Sequence, residues 1–330
     1  MAAHDIIVIG SSAGGVEALT MLCSHLPKDL PAAIFIAQHV SPTSRSVLPQ
    51  LLGRAGKLPV SHAVDGATIT SGTICVAPPD YHLLLENDQT VLRRGPHENR
   101  TRPAIDPLFR SAAIAYGPRV IGVILTGVLD DGTAGLAAIK CCGGLSVVQD
   151  PMDAAWPDMP RSALERDHAD YVVGLAELPD LLVRLCREPA GPVLPVPPGL
   201  IAEARIAAQE APLPEHLSRL GHPSHITCPQ CGGVLNEVVE AGSVRFRCQI
   251  GHAFTAEGLV AAQNDELERA LESAARMHRD RVVLLRRLQQ MSTARSLWHT
   301  AERWRAGAEE SERAANLIGE AIRLLRKPFG

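Results

Sequence analysis

Three side chains of the kinds used for acyl transfer stand at comparable places in this sequence: a serine, a histidine and an aspartate, each just behind an apolar run. The serine lies in Ile6-Ile-Val-Ile-Gly10-Ser11-Ser12-Ala13-Gly14-Gly15. A dinucleotide-binding turn needs glycine where Ser12 stands, and a phosphate-binding loop needs a closing Gly-Lys-Ser/Thr that is absent. The pattern Gly10-x-Ser12-x-Gly14 suits a sharp turn whose glycines lift one hydroxyl above a sheet at a helix N-terminus. Ser11 adjoins it, but the pattern selects Ser12. An ordinary glycine-rich turn with Ser12 as helix N-cap satisfies the same residues.

A serine hydroxyl is a weak nucleophile at neutral pH and needs a base, usually histidine, oriented by a carboxylate. His39 closes Ile36-Ala37-Gln38-His39, and Asp131 follows Ile124-Leu125-Thr126-Gly127-Val128-Leu129-Asp130. Singly, a histidine at a strand end is an ordinary structural residue and an aspartate before glycine an ordinary turn residue or cap. Jointly, the three sit beyond the C-terminal ends of strands, where open α/β sheets place their crevices. The order Ser, His, Asp differs from those of α/β-hydrolases, chymotrypsin-like enzymes and subtilisins. The N–H of Ala13, at the helix start, is a suitable oxyanion donor.

A second group is Cys228-Pro-Gln-Cys231-Gly-Gly with Cys248 and His252. The spacing is that of a tetrahedral Cys₃His site, thiolates and imidazole suit zinc, and so short a segment buries little core without a metal. Four protein ligands leave no open position, so the expected zinc is structural. A redox pair at Cys228 and Cys231, or a disulfide, fits a reducing compartment less well.

The elements that must position these groups can be read from periodicity. Short apolar runs at Ile6 to Ile9, Ala32 to Ala37, Val120 to Leu125, Leu145 to Val148 and Tyr171 to Val173 alternate with helix-like segments. That alternation predicts an α/β fold: a doubly wound, mostly parallel sheet with helices on both faces. Val60 to Arg94 reads as short strands and a hairpin turning at Glu86-Asn87-Asp88-Gln89. The expected divisions are a catalytic domain at 1–187, a proline-rich linker at 188–224, a zinc-ribbon-like module at 225–255 and a helical tail at 256–330. The tail's apolar spacing predicts two helices, as a hairpin or a self-associating pair.

Composition narrows the function classes. The 330 residues carry 32 basic and 36 acidic side chains, so no general attraction to nucleic acid or anionic membrane is expected. Aromatic residues are only 3% of the chain, which weakens any base-stacking role. No run approaches the roughly 18 apolar residues that span a bilayer, and no basic segment leads into an apolar one at the N-terminus. The expectation is a cytoplasmic protein without membrane insertion.

Further motifs accompany the serine turn and Gln38-His39: Ala77-Pro-Pro-Asp-Tyr-His82, Asn99-Arg-Thr-Arg-Pro103 with Asp106 and Phe109, Leu125-Thr-Gly127 with Asp131-Gly132, Val148-Gln-Asp150 and Met159-Pro-Arg161. In that order, over about Asp5 to Leu185, they resemble the catalytic domain of the chemotaxis protein-glutamate methylesterases, the CheB-like enzymes. The first strand begins close to Met1, so the resemblance is to a receiver-less form with a zinc-ribbon-like tail. It implies a serine-dependent ester hydrolase without a catalytic cofactor, in which Ser12 attacks, His39 carries the proton and Asp131 steadies the ring. Val128 occupies the family position of a second oxyanion donor, and glutamine deamidation by the same machinery is implied as well. The implied partner is a methyl-accepting, chemoreceptor-like helical protein, with Arg45, Asn99, Arg102 and Arg161 as candidate contacts; loop residues or structural ion pairs are the other reading of these four. Asp130 stands where the family commonly has asparagine, which is expected to raise the pKa of one carboxyl if both are buried. Two other functions compete: a receptor-binding adaptor without turnover, and a serine esterase for another small ester.

Overall fold

The computed structural model of the chain describes residues 3–166, 169–209, 221–240 and 243–326. The chain opens with β1 (Ile6–Ser11), α1 (Gly15–His25), β2 (Ala33–Gln38), α2 (Leu48–Ala55), β3 (Val60–His62), β4 (Ile74–Val76) and the hairpin β5 (His82–Glu86) and β6 (Gln89–Arg93). It continues with α3 (Ile105–Tyr116), β7 (Val120–Ile124), α4 (Thr133–Cys141), β8 (Leu145–Gln149), α5 (Asp158–Arg166), β9 (Tyr171–Val173), α6 (Leu178–Leu185) and α7 (Pro198–Ala208).

Seven strands make one sheet in the order β3-β4-β2-β1-β7-β8-β9, every pair parallel. After β1 the chain builds outward on one side, then returns to add β7 on the other. The strand order therefore reverses around β1, and the crevice of such a sheet lies beyond the C-terminal ends there. Strand β1 is buried along its whole length, as a strand covered on both faces must be. Ile6 and Val8 face a core with Phe35, Leu108, Phe109 and Leu136, while Ile7 and Ile9 face one with Leu19, Leu22, Ile34 and Leu182. Helices α3 and α4 thus cover one face, and α1 and α6 the other.

The hairpin of β5 and β6 turns through Asn87 and Asp88, both at positive φ (49° and 58°), the two-residue turn whose twist matches its strands. The proline-rich stretch differs from a free linker. Pro198 opens α7, where a missing N–H is harmless, and the helix turns Leu200 toward the sheet core and Ala208 toward Leu84 and Val91. Residues 210–220 of the stretch lie outside the described residues.

An antiparallel sheet follows, of β10 (His222–Thr227), β11 (Val234–Glu240), β12 (Ser243–Cys248) and β13 (Ala253–Thr255), in sequence order. Two long helices end the chain, α8 (Ala256–Ala294) and α9 (Trp298–Leu325). The molecule divides into two compact units, Met1–Leu259 and Val260–Gly330. Within the second, Arg326 bonds Glu272 at 2.9 Å and Arg286 bonds Glu312 at 2.9 Å. As the first helix advances from Glu272 to Arg286, its partner falls back from Arg326 to Glu312, so the helices run antiparallel. Ala275, Val282, Leu285, Ala301 and Ala308 are buried, whereas Leu267 is 51% exposed. No helix among the described residues is long and apolar enough to cross a membrane.

Candidate active site

The serine turn is shaped by the little room around it. Gly14, at φ 74°, precedes α1 in a conformation that side chains resist. A Cβ on Gly15 would lie 2.2 Å from Gln38 Oε1 and 2.8 Å from Ser11 Cβ. Ser11 is fully buried and its hydroxyl donates to Gln38 Oε1 at 2.6 Å, which removes it as a nucleophile. The Gln38 amide donates in turn to the carbonyls of Ser12 (2.9 Å) and His39 (3.1 Å), tying the ends of β1 and β2 together.

His39 Nδ1 lies 3.1 Å from Ser12 Oγ, and His39 Nε2 lies 2.7 Å from Asp131 Oδ2. With its proton on Nε2, donated to the carboxylate, the imidazole presents a lone pair at Nδ1 to the serine hydroxyl. The structure therefore brings Ser12, His39 and Asp131 from the adjacent strands β1, β2 and β7 into one relay.

Asp131 is only 2% exposed and sits at the N-terminus of α3. Its Oδ2 also accepts from Ile105 N at 2.7 Å, and its Oδ1 accepts from Asn99 Nδ2 at 2.8 Å and Asp106 N at 3.3 Å. Burial alone would raise this carboxyl. The bond and charge of His39, with the Ile105 N–H and the Asn99 amide, outweigh burial and hold it below the usual range. Asp106 behaves oppositely: burial first, then the adjacent Asp131 charge, push it up against the pull of Arg245 and Arg110. Asp130 is raised as well, by burial, and the Thr255 hydroxyl that bonds it at 2.8 Å pulls the other way. Both carboxyls of the Asp130-Asp131 pair are buried, and they shift in opposite directions.

The loop after β7 passes directly over the serine. A Cβ on Gly127 would lie 2.1 Å from Met159 Sδ and 2.9 Å from Ser12 Cβ, so only glycine fits. The loop is tied at both ends: Gly127 N donates to Trp156 O (2.9 Å), Met159 N to Gly127 O (3.0 Å) and Thr126 N to Gln149 Oε1 (2.9 Å). Among the described residues, the N–H groups of Ala13 and Val128 make no hydrogen bond, and one follows the serine while the other follows Gly127. Two unspent donors beside a nucleophile suit a developing oxyanion.

The four residues expected to meet substrate separate into two pairs. Arg45 and Arg161 are exposed. Asn99 is buried, and its amide is shared between Asp131 Oδ1 and Asp106 Oδ2 (3.0 Å). Arg102 is likewise spent within the fold, on Asp80 Oδ1 (2.9 and 2.5 Å) and Gly95 O (2.6 Å). Gln38, Asp106 and Gln149 were not foreseen as site residues. Each falls inside a motif noted from the sequence, and two of them stand at the last position of a strand, a signal that could have marked them.

Away from the relay, Cys228, Cys231, Cys248 and His252 present ligand atoms that all lie within 4.8 Å of one another. The Cys231–Cys248 sulfurs are 3.6 Å apart, and His252 Nδ1 lies 3.7 Å from Cys228 Sγ and 3.4 Å from Cys248 Sγ. A tetrahedral zinc at ordinary bond lengths would set such edges at about 3.5–3.8 Å. The three cysteines are free thiols, the donor set is soft, and the four residues fit a metal ion.

Comparison with known proteins bears on the family and the fold. Residues 7–182 match the family model described as CheB methylesterase. A Leptospira interrogans relative is 42% identical over 183 residues, 55% of this chain and 95% of that protein. The protein-glutamate methylesterase/protein-glutamine glutaminase of Thermotoga maritima is 37% identical over 184 residues, 54% of each chain. The crystal structure of the Thermotoga maritima CheB methylesterase catalytic domain superposes with a TM-score of 0.53 at 36% identity, covering 56% of this chain and 99% of that one. The chain thus spans nearly all of the first relative and about half the length of the Thermotoga enzyme.

Proposed function

The chain belongs to the CheB methylesterase family, and on that premise we propose that it hydrolyses methyl esters of glutamate side chains on a methyl-accepting, chemoreceptor-like helical protein, and deamidates glutamine there. The observation that carries the reading is the relay of Ser12, His39 and Asp131 across 3.1 Å and 2.7 Å. Ser12 Oγ attacks the ester carbonyl while His39 Nδ1 takes its proton, and Asp131 stabilises the imidazolium that forms. The N–H groups of Ala13 and Val128 receive the oxyanion. His39 returns the proton to departing methanol, and water, activated at the same nitrogen, releases glutamate. No cofactor enters this chemistry.

Exposed Arg45 and Arg161 supply positive charge for an acidic receptor helix. The Cys₃His cluster holds zinc, the chain acts in the cytoplasm, and the antiparallel helices of the second unit provide a surface for self-association. The test is methanol release from methylated receptor membranes. The wild type should release methanol, and Ser12→Ala should lose at least about a thousandfold in rate, as removal of an activated nucleophile does. Equal release by the two would end the reading, and release only from a small methyl ester would move the substrate elsewhere.

A further inference from the structure

The metal-binding segment is wired to the underside of the relay. Directly after the ligand His252 the chain enters β13, where Ala253 exchanges two backbone bonds with the loop ahead of α3: Ala253 N donates to His97 O (3.2 Å) and Asn99 N donates to Ala253 O (2.9 Å). The Asn99 side chain reaches Asp131 Oδ1 at 2.8 Å. Thr255, at the end of the same strand, bonds Asp130. From ligand to catalytic carboxylate the path is His252, Ala253, Asn99, Asp131.

A second connection runs from β12, which ends at the ligand Cys248. Arg247 donates to Glu98 Oε1 at 3.1 Å, and Arg245 to Glu203 at 2.9 and 2.7 Å. Arg245 Nη2 also lies 3.7 Å from Asp106 Oδ2, and Arg110 of α3 reaches Glu98 at 2.5 Å. All six side chains are buried. Removing one side of such a cluster leaves uncompensated charge in the interior, which is strongly unfavourable. Asp106 sits at the end of the cluster and shares the Asn99 amide with Asp131, so a change at Arg245 is felt one hydrogen bond from the relay. Among the described residues, the four-stranded sheet buries few large apolar side chains, chiefly Leu235, Val238, Phe246 and Phe254. A segment this poor in core needs its metal to stay folded.

We infer that the Cys228, Cys231, Cys248 and His252 cluster is a control site for the hydrolase: zinc bound there keeps β13 and Arg245 docked, Asn99 and Asp131 in register, and the relay competent, while loss of zinc releases them. The inference rests on Ser12, His39 and Asp131 forming the active site. Asn99, Arg245 and Thr255 are on this account positioning residues, acting through Asp131 and its neighbours.

The experiment takes the full-length chain through chelation and zinc return at neutral pH. Zinc content, the rate of Ser12 labelling by a serine-directed phosphonate, and deuterium uptake at the amides of Asn99 and Ile105 are followed together. Zinc removal should slow labelling at least tenfold and expose both amides, and returned zinc should restore both. Labelling within twofold and amides still protected after complete zinc removal would overturn the inference. If the zinc-loaded chain does not label at all, the active-site reading fails, and amide exchange alone then decides whether the metal is coupled to this region. Should the stripped chain precipitate, Arg245→Met keeps all four ligands. It should retain zinc yet label at least tenfold more slowly, and a wild-type labelling rate with the Asn99 amide as protected as in the wild type would overturn the cluster's part.

Discussion

Asp131 does its work as an anion in an interior that would rather have it neutral, and the groups that keep it ionised are few. Among them the Asn99 amide is the one that is neither backbone nor part of the relay. Asn99→Ala removes a single donor to Oδ1 and leaves the His39 and Ile105 bonds to Oδ2. The lost bond to a charged acceptor corresponds to about 1.5–3 kcal/mol. The expected result is a fall in kcat of about ten- to a hundredfold with little change in KM, because the imidazolium is stabilised only as the transition state forms. Steady-state kinetics on a methylated receptor check this, and a change confined to KM would restore Asn99 to the substrate surface. The relay residues were legible in the sequence because Ser12 and His39 stand directly at strand ends and Asp131 lies in the loop that follows β7. Asn99 was read from the sequence as a candidate substrate contact within a polar motif. Its role depends on a loop conformation, with φ 47° at Asn99 and 72° at Arg100, that turns the side chain inward, and no spacing rule reports that.

Among the elements, the loop after β7 is tightly constrained. Gly127 faces Met159 on one side and Ser12 on the other, so Gly127→Ala must displace one of them. Met159 can shift its sulfur more cheaply than the serine turn can move, but its N–H is bonded to the Gly127 carbonyl, so displacement drags the loop with it. Overpacking of this kind typically costs about 1–3 kcal/mol. Gly127→Ala should therefore stay folded, with a lowered melting temperature, and lose at least about a hundredfold in kcat/KM through misplacement of the Val128 N–H. Thermal unfolding measured beside methanol release separates the two effects. Strands β1, β2, β7 and β8 could be read as apolar runs because both of their faces are buried. Helices α2, α5 and α7 were not read: α2 spans eight residues with a proline near its start, α5 is largely polar, and α7 lies among prolines that signal a linker. The docking of β12 was beyond sequence reasoning, since Arg247 and Glu98 are 149 positions apart and each alone looks like a surface charge.

Over the whole molecule, the buried charges set how stability varies with acidity, and two groups pull in opposite directions. Glu203, held by Arg245, Arg110 and Arg247 against its burial, is lowered from 4.5 to about 2. Its stabilisation, on the order of 3 kcal/mol, is fully present above pH 4.5 and is lost as the pH falls toward 2, because the unfolded chain then binds the proton first. Asp106 is raised from 3.8 to about 6, so over that interval the folded chain binds the proton first and stability grows as the pH falls. Asp131 has the sign of Glu203, and Asp130 that of Asp106. His4, His82 and His97, lowered chiefly by burial, oppose that gain, because below about pH 6.5 the unfolded chain binds their protons first, so the share of Asp106 is read from a variant rather than from the position of the maximum. Urea unfolding of the zinc-loaded chain across pH 4 to 8 measures the profile. Asp106→Asn fixes that side chain in its neutral form, so from pH 7 toward pH 5 this variant should gain less stability, or lose more, than the wild type, while the loss below pH 4.5 persists. Parallel profiles of the two proteins from pH 7 to 5 would show that Asp106 stays ionised beside Asp131 throughout.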